Sequence, residues 1–202
     1  MASPKIGVLA LQGDVREHCA HLEKCGVVVS TVKSVADLAQ VDGLVIPGGE
    51  STTMSILAVR NNLLEPLREF RATHPVYGSC AGLIMLADEI LDGRPDQQTV
   101  GGLHITAQRN AFGRQVDSFE IDLDVPALGG EPFHAVFIRA PLVKHISDDV
   151  EVLARIPADV SASGQEQIVA VRQGNLLATS FHPEITPDLR FHQYFAEMVR
   201  IA

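Results

Sequence analysis

The spacing Gly78-x-Cys80-x-Gly82, set between a short apolar run and a helical pattern, constrains this chain more than any other stretch. It is the cysteine form of the G-x-S-x-G nucleophile elbow, in which a tight strand-to-helix turn holds the middle side chain out at the sheet edge. A bulky residue at 78 or 82 would collide where strand and helix pass close together, and the sharp turn demands backbone angles that glycine tolerates. Unpaired N–H groups and the positive end of the following helix favour a thiolate, which places Cys80 as a nucleophile. Free cysteine is also among the most buried residue types, so the motif alone leaves an inert buried thiol open. A second stretch tips the balance. Residues 176–181 (LLATSF) read as a strand that runs into His182-Pro183-Glu184. Extended residues two apart point the same way, so His182 and Glu184 face one side, with Pro183 stiffening the link. A nucleophilic cysteine needs a base, and the base an orienting carboxylate. Cys80, His182 and Glu184 supply all three.

The elbow belongs to a wider alternation. Residues 5–11 form a nearly continuous apolar run, as in a central parallel strand covered on both faces. An amphipathic helix follows from Asp14 to about Lys24, with Val15, Cys19 and Leu22 on its inner face. Residues 27–32 read as a strand, 34–40 as a short helix, and 43–46 as a third strand ending at Pro47-Gly48-Gly49-Glu50-Ser51-Thr52-Thr53. That loop is either a plain strand-to-helix turn with Ser51 or Thr52 as N-cap, or a pair of glycines that lets backbone N–H groups approach a ligand. Helices over 53–61 and 64–73, the elbow strand and a helix to about Leu91 complete the pattern of a doubly wound parallel sheet. Beyond it lie short strands at 103–108, 116–123, 133–139, 150–156, 168–173 and 176–181, the last two joined by a Gln173-Gly174-Asn175 turn. A final amphipathic helix over about 187–201 carries aromatic residues that read as core packing. Segments 93–101 and 158–165 are the expected mobile loops. With no linker or repeat, residues 1–202 read as a single domain.

A formal net charge of −9 argues against nucleic acid or an anionic membrane as the main partner. The first apolar run stops at Gln12-Gly13, too short for a membrane span and without a signal-peptide layout. Three cysteines with no C-x-x-C pair fit a reducing cytoplasm. Few aromatic residues and no tryptophan predict a mostly aliphatic core. His18, His21 and Cys25 share one side of the first helix, but zinc needs three or four ligands and no further cluster is evident, so no metal is expected.

With a cysteine elbow, a His-x-Glu pair after a late strand and a mixed α/β pattern, the chain resembles the class I (triad) glutamine amidotransferases. Residues 47–53 (PGGESTT), 78–84 (GSCAGLI) and 108–115 (QRNAFGRQ) look like those of the glutaminase subunits of pyridoxal 5'-phosphate synthase, and the resemblance runs from Ile6 to Glu184. Ile84 stands where many sister amidotransferases carry glutamine, which fits the vitamin B6 branch. The resemblance implies a three-layer, flavodoxin-like α/β fold with a mixed, mainly parallel central sheet. It also implies hydrolysis of L-glutamine to L-glutamate and ammonia, the ammonia passing to a barrel-shaped synthase that assembles pyridoxal 5'-phosphate. In that scheme Cys80 attacks the side-chain amide, His182 shuttles the proton and Glu184 holds His182. The oxyanion donors are the N–H of Ala81 and one from the Gly48-Gly49 turn, assigned to Gly49. Gly48, Gly49, Glu50, Arg109, Ile138 and Arg139 line the glutamine pocket. Charge complementarity gives Glu50 the ammonium and Arg109 the carboxylate. No cofactor is implied, because pyridoxal phosphate is the product of the partnership. Low turnover until the synthase docks is also implied. Rotation of one glycine peptide is a physical route to it, since a single oxyanion donor is worth ~10²–10³ in rate. Two other readings stay open: a catalytically silent regulatory module of the same fold, and a cysteine hydrolase of another γ-glutamyl amide.

Overall fold

The structure is a computed structural model and describes residues 3–109, 118–161 and 163–202. Strand and helix alternate through the first part: β1 (Lys5–Leu9), α1 (Val15–Lys24), β2 (Val28–Val32), α2 (Val35–Leu38), β3 (Gly43–Ile46), α3 (Ser51–Arg60), α4 (Leu64–Thr73), β4 (Val76–Ser79) and α5 (Ala81–Leu86). Strands dominate thereafter: β5 (Ala87–Leu91), β6 (Leu103–Gln108), β7 (Ser118–Leu123), β8 (Phe133–Ile138), β9 (Leu142–Ile146), β10 (Glu151–Ile156), β11 (Gln167–Gln173) and β12 (Leu176–Thr179), closed by α6 (Arg190–Ile201). Among the described residues, one ten-stranded sheet runs β2-β1-β3-β4-β12-β11-β9-β6-β5, with β10 also on β11. From β2 to β12 every neighbour is parallel. β12 then pairs antiparallel with β11 through a turn in which Gly174 takes φ 53. β7 and β8 form a separate antiparallel ribbon.

Successive side chains of the central strands go to opposite faces, as the pleat requires. Leu44 and Ile46 of β3, Val76 of β4 and Ala178 of β12 join Met54, Leu67 and Leu83 from α3, α4 and α5 in one core. Val45, Tyr77 and Leu177 join Leu22 of α1 and Phe191 and Phe195 of α6 in the other. The result is a three-layer α/β fold with a mixed, mainly parallel central sheet. Tyr77, Phe133, Phe137, Phe181, Phe191 and Phe195 are all fully buried in the second core. The core is mostly aliphatic, as composition leads one to expect, with its aromatic residues gathered mainly on one face.

Several local expectations are corrected. The helix after the elbow ends at Leu86 instead of running to Leu91, and Ala87 returns to extended angles (φ −62, ψ 141). Residues 87–91 pair with β6, Ile90 opposite Ala107, so ladder bonds override a neutral local propensity. β9 is a strand that the sequence does not announce, because LVKHI is short and poorly alternating. The inner face of α1 is His18, His21 and Leu22, with Val15 and Cys19 only half-buried. The N-cap of α3 is Glu50, not Ser51 or Thr52, its carboxylate accepting from Thr52 N–H at 3.0 Å and Thr53 N–H at 2.6 Å. Segment 93–101 is tied to its neighbours, Gln98 N–H to Ser55 Oγ at 2.9 Å and Arg68 Nε to Thr99 O at 3.0 Å. Residues 110–115 of the third motif, 116–117 of the strand expected at 116–123, and 162 of the loop at 158–165 lie outside the described residues.

Candidate active site

At the end of β4 the chain turns at Cys80, whose φ of 50 and ψ of −101 place a non-glycine residue in a left-handed conformation. Such strain costs about 1–3 kcal/mol and persists only where surroundings enforce it. Here the Cys80 N–H donates to Thr179 O of β12 at 2.8 Å. The flanking glycines are explained by space. A Cβ on Gly78 would lie 2.4 Å from Gly82 O, and one on Gly82 2.1 Å from Ile46 O. The thiol is thus fixed at the carboxyl ends of the parallel strands, 6% exposed.

His182 follows β12, but not in the extended form inferred from sequence. β12 stops at Thr179, His182 takes φ −105 and ψ 86, and Pro183–Ile185 form a turn of 3-10 helix. That turn wraps the carboxylate back onto the ring, leaving His182 Nδ1 2.7 Å from Glu184 Oε1. Glu184 is 3% exposed, and Ser79 Oγ donates to its Oε2 at 3.3 Å. Asp14, which the sequence marked only as a helix start, brings Oδ2 to 3.5 Å from His182 Nδ1. It makes no side-chain cap bond to α1, so its carboxylate faces the histidine. Burial opposes charge on His182, but Asp14, the Cys80 thiol and Glu184 together outweigh it and push the imidazole up to about 12. Of the two carboxylates we weight Glu184 more, because it is closer and fully buried whereas Asp14 is partly solvated.

Cys80, Ala81, Gly49, Glu50, Arg109, Ile138, Arg139 and His182 all line one cavity of about 530 Å³, which also meets Asp14 and Ile185. Gly48 lies under the His182 ring, where a Cβ would meet Cε1 at 2.5 Å, and Glu184 stands behind it. Glu50 and Arg109, expected to face opposite ends of a ligand, are joined to each other at 3.0 Å. Arg109 also donates to Thr52 Oγ1 and to Gln97 Oε1, both at 3.1 Å. Burial pushes the Glu50 carboxyl up, yet the N–H bonds from Thr52 and Thr53 outweigh it and bring the group down to about 2. Gln12 completes this wall, its Oε1 accepting from Glu50 N–H at 2.7 Å. Gln12, Asp14 and Gln97 carried no motif of their own and are assembled only by folding.

Two groupings bear on metals. Asp14, His182 and Glu184 hold ligand-type atoms within 4.8 Å of one another, but those atoms are the ones engaged around the His182 proton. His18, His21 and Cys25 do not converge: His21 turns Nδ1 to Glu17 O and Nε2 to Thr186 O, and Cys25 Sγ donates to the His21 carbonyl. What the cavity can do is acyl transfer through a thiol, with a charged imidazole beside it and a space lined by the carboxylates of Asp14 and Glu50 and the guanidinium groups of Arg109 and Arg139.

Residues 8–201 match the SNO glutamine amidotransferase family. The pyridoxal 5'-phosphate synthase subunit PdxT of Kineococcus radiotolerans is 60% identical over 201 residues, spanning 98% of this chain and 96% of that one. The PdxT subunit of Mycobacteroides abscessus is 59% identical over 199 residues, spanning 98% of each. A crystal structure of a glutamine amidotransferase superposes with a TM-score of 0.86 at 45% identity, over 96% of this chain and 98% of that one. A match over nearly the whole length, enclosing the elbow and the His182–Glu184 pair, means that this chain belongs to the SNO glutamine amidotransferase family.

Proposed function

We propose that this chain hydrolyses L-glutamine to L-glutamate and ammonia and delivers the ammonia to a barrel-shaped synthase subunit that builds pyridoxal 5'-phosphate. The observation that carries this reading is the family match together with a thiol and a charged imidazole lining one cavity, with a buried carboxylate behind the imidazole. The Cys80 thiolate attacks the side-chain carboxamide carbon, and the oxygen takes the negative charge against the N–H groups of Ala81 and Gly49. His182 gives its proton to the nitrogen as the C–N bond breaks, releasing ammonia and leaving a glutamyl thioester. His182 then takes a proton from water as the hydroxyl adds to the thioester, and the thiolate leaves with glutamate. Glu184 keeps the ring aligned and stabilises its charge through both halves.

In this reading Glu50 holds the glutamine ammonium and Arg109 the carboxylate, with Gly48, Gly49, Ile138 and Arg139 shaping the wall. The Glu50–Arg109 pair neutralises two charges that would otherwise face an empty cavity. Free glutamine exchanges that one pair for two, and an amide lacking either charged end leaves one of them unmatched. The Gly48 carbonyl accepts from Asp14 N–H at 3.2 Å. Rotating the Gly48-Gly49 peptide into or out of oxyanion geometry therefore breaks one backbone hydrogen bond, worth about 1 kcal/mol, which docking of a partner readily supplies. A cytoplasmic location fits three free cysteines and the absence, among the described residues, of a helix long and apolar enough to cross a membrane.

Glutamate release from L-glutamine, measured with and without the synthase and with Cys80→Ala, tests this directly. Activity that rises with the synthase and vanishes in the variant is the expected result. Turnover that survives Cys80→Ala removes the thiol from the mechanism, and no turnover in any mixture favours the silent regulatory module.

A further inference from the structure

Behind the triad lies a second histidine system that the scheme above does not use. His18 of α1 is completely buried on the side of Glu184 away from His182. Its Nε2 is 3.4 Å from Glu184 Oε2, and its Nδ1 is 2.9 Å from Nε2 of His192, itself fully buried on α6. Among the described residues His18 Nε2 and His192 Nδ1 are buried without a hydrogen bond, and Glu184 Oε2 at 3.4 Å is an electrostatic neighbour of the inner nitrogen. Other titratable groups around the pair are His21 on the same helix, Tyr77 of β4, and His182 and Asp14 beyond Glu184. Both imidazoles are held neutral. Burial, then His192, His182 and His21, takes His18 well below the usual histidine range, and burial, then His21, takes His192 down to about 3.

Two neutral imidazoles sharing one Nδ1···Nε2 bond have two ways to place their protons. If His18 donates from Nδ1, its Nε2 lone pair faces the Glu184 carboxylate, and His192 carries its proton on Nδ1, a buried N–H with no acceptor. If His192 donates from Nε2, His18 carries its proton on Nε2, 3.4 Å from Glu184 Oε2, and His192 Nδ1 is left as a lone pair. Both leave one buried N–H without a hydrogen bond, but the first sets a lone pair against the carboxylate at 3.4 Å and puts its N–H where no acceptor lies, whereas the second puts its N–H on the atom next to the carboxylate, an attraction in place of a repulsion. The terminal torsion of a glutamate is soft, so a carboxylate held through Oε1 alone would swing away from its histidine.

We infer that His18 is a positioning residue for the reaction: a neutral donor, set in its Nε2–H form by His192, that together with Ser79 pins Oε2 of Glu184 and so keeps Oε1 on His182. This rests on the reading of Cys80, His182 and Glu184 as the triad. Long-range 1H–15N correlation spectra of the unmutated protein, labelled at histidine, read the tautomers without any variant. The expected spectrum has both His18 and His192 neutral and protonated on Nε2 from about pH 6 to about pH 8. A proton on His18 Nδ1 overturns the inference.

A second arm compares His18→Phe, which keeps the ring and removes the donor, with His18→Gln, whose amide N–H reaches the place of Nε2. Expected for His18→Phe is a fall in kcat of about tenfold, measured with the synthase, at unchanged KM. The pH at which iodoacetamide begins to alkylate Cys80 moves upward as well, because a loosened Glu184 supports the imidazolium less. His18→Gln restores most of both. Equal kcat and alkylation midpoint in unmutated protein and His18→Phe, or a loss that Gln does not repair, overturns the inference. The alkylation and tautomer readouts need no glutamine, so they judge His18 even if the hydrolysis reading fails.

Discussion

At the residue scale, His182 shows how burial and partners compete. An isolated imidazole this buried would shed its proton, yet here two carboxylates and a thiol keep it. The sign of the linkage follows: a pKa raised above the unfolded value of 6.5 contributes stability that is complete below that value and fades as pH climbs toward about 12. Urea unfolding is expected to show stability falling between about pH 7 and about pH 10, with a shallower slope in His182→Gln. Glu184→Gln keeps the shape but removes the charge and the correct acceptor, and should lower glutamine turnover by ~10²–10⁴ at little change in KM, read by glutamate release with the synthase present. The juxtaposition of Cys80, His182 and Glu184 was legible from sequence because the elbow is a local motif and His-x-Glu needs only adjacency. Asp14 and His18 were not, because nothing near them in the chain indicates that a turn beyond residue 180 will close over them. His18 in particular looked like one of a helical row of possible ligands until its partner proved to be a carboxylate from another element.

The elements themselves divide by whether their cause is local. Gly43–Ile46 and Leu64–Thr73 follow the expected boundaries because an apolar tetrapeptide and an amphipathic decapeptide state their own structure. Ala87–Leu91 could serve as helix or strand, and its pairing with β6 decides, which no window of sequence contains. The Pro183–Ile185 turn is similar: proline permits both an extended link and a first helical position, and the tertiary fit selects the latter. Two predictions belong here. Glu50→Ala removes both bonds to the first N–H groups of α3 and should cost about 1 kcal/mol in chemical unfolding. Should Glu50 also hold the glutamine ammonium, KM rises in the same variant, while Glu50→Gln, which keeps a cap acceptor, raises KM with less loss of stability. Gly82→Ala drives a methyl against the Ile46 carbonyl, and a melting-temperature drop equivalent to about 1–3 kcal/mol is expected, with glutaminase activity lost beyond what unfolding explains.

At the scale of the whole molecule, the sheet separates two cores, and most of the buried aromatic rings lie in the one under α1 and α6. Phe181, fully buried among Phe133, Phe137 and Phe191, sits one residue before His182. Phe181→Leu should therefore lower stability measurably in denaturant, and Phe181→Ala by about 3–5 kcal/mol. The parallel half of the sheet was readable from β-α alternation. The β11–β12 hairpin was readable from Gln173-Gly174-Asn175, but the continuation through β9, β6 and β5 was not, because strand order among short segments is set by packing partners. One such neighbour relation reaches further than architecture. β12 inserts beside β4, so Cys80 and His182, the proposed nucleophile and base, lie just past the ends of adjacent strands although the chain writes one long before the other. As the polypeptide leaves the ribosome, Cys80 is an ordinary thiol with no imidazolium beside it, and it stays so through the synthesis of all the intervening strands. The closing of the sheet brings thiol and imidazole together, and in the scheme proposed above docking of the synthase completes the site afterwards, so a stalled or half-made chain lacks even the first of these two steps.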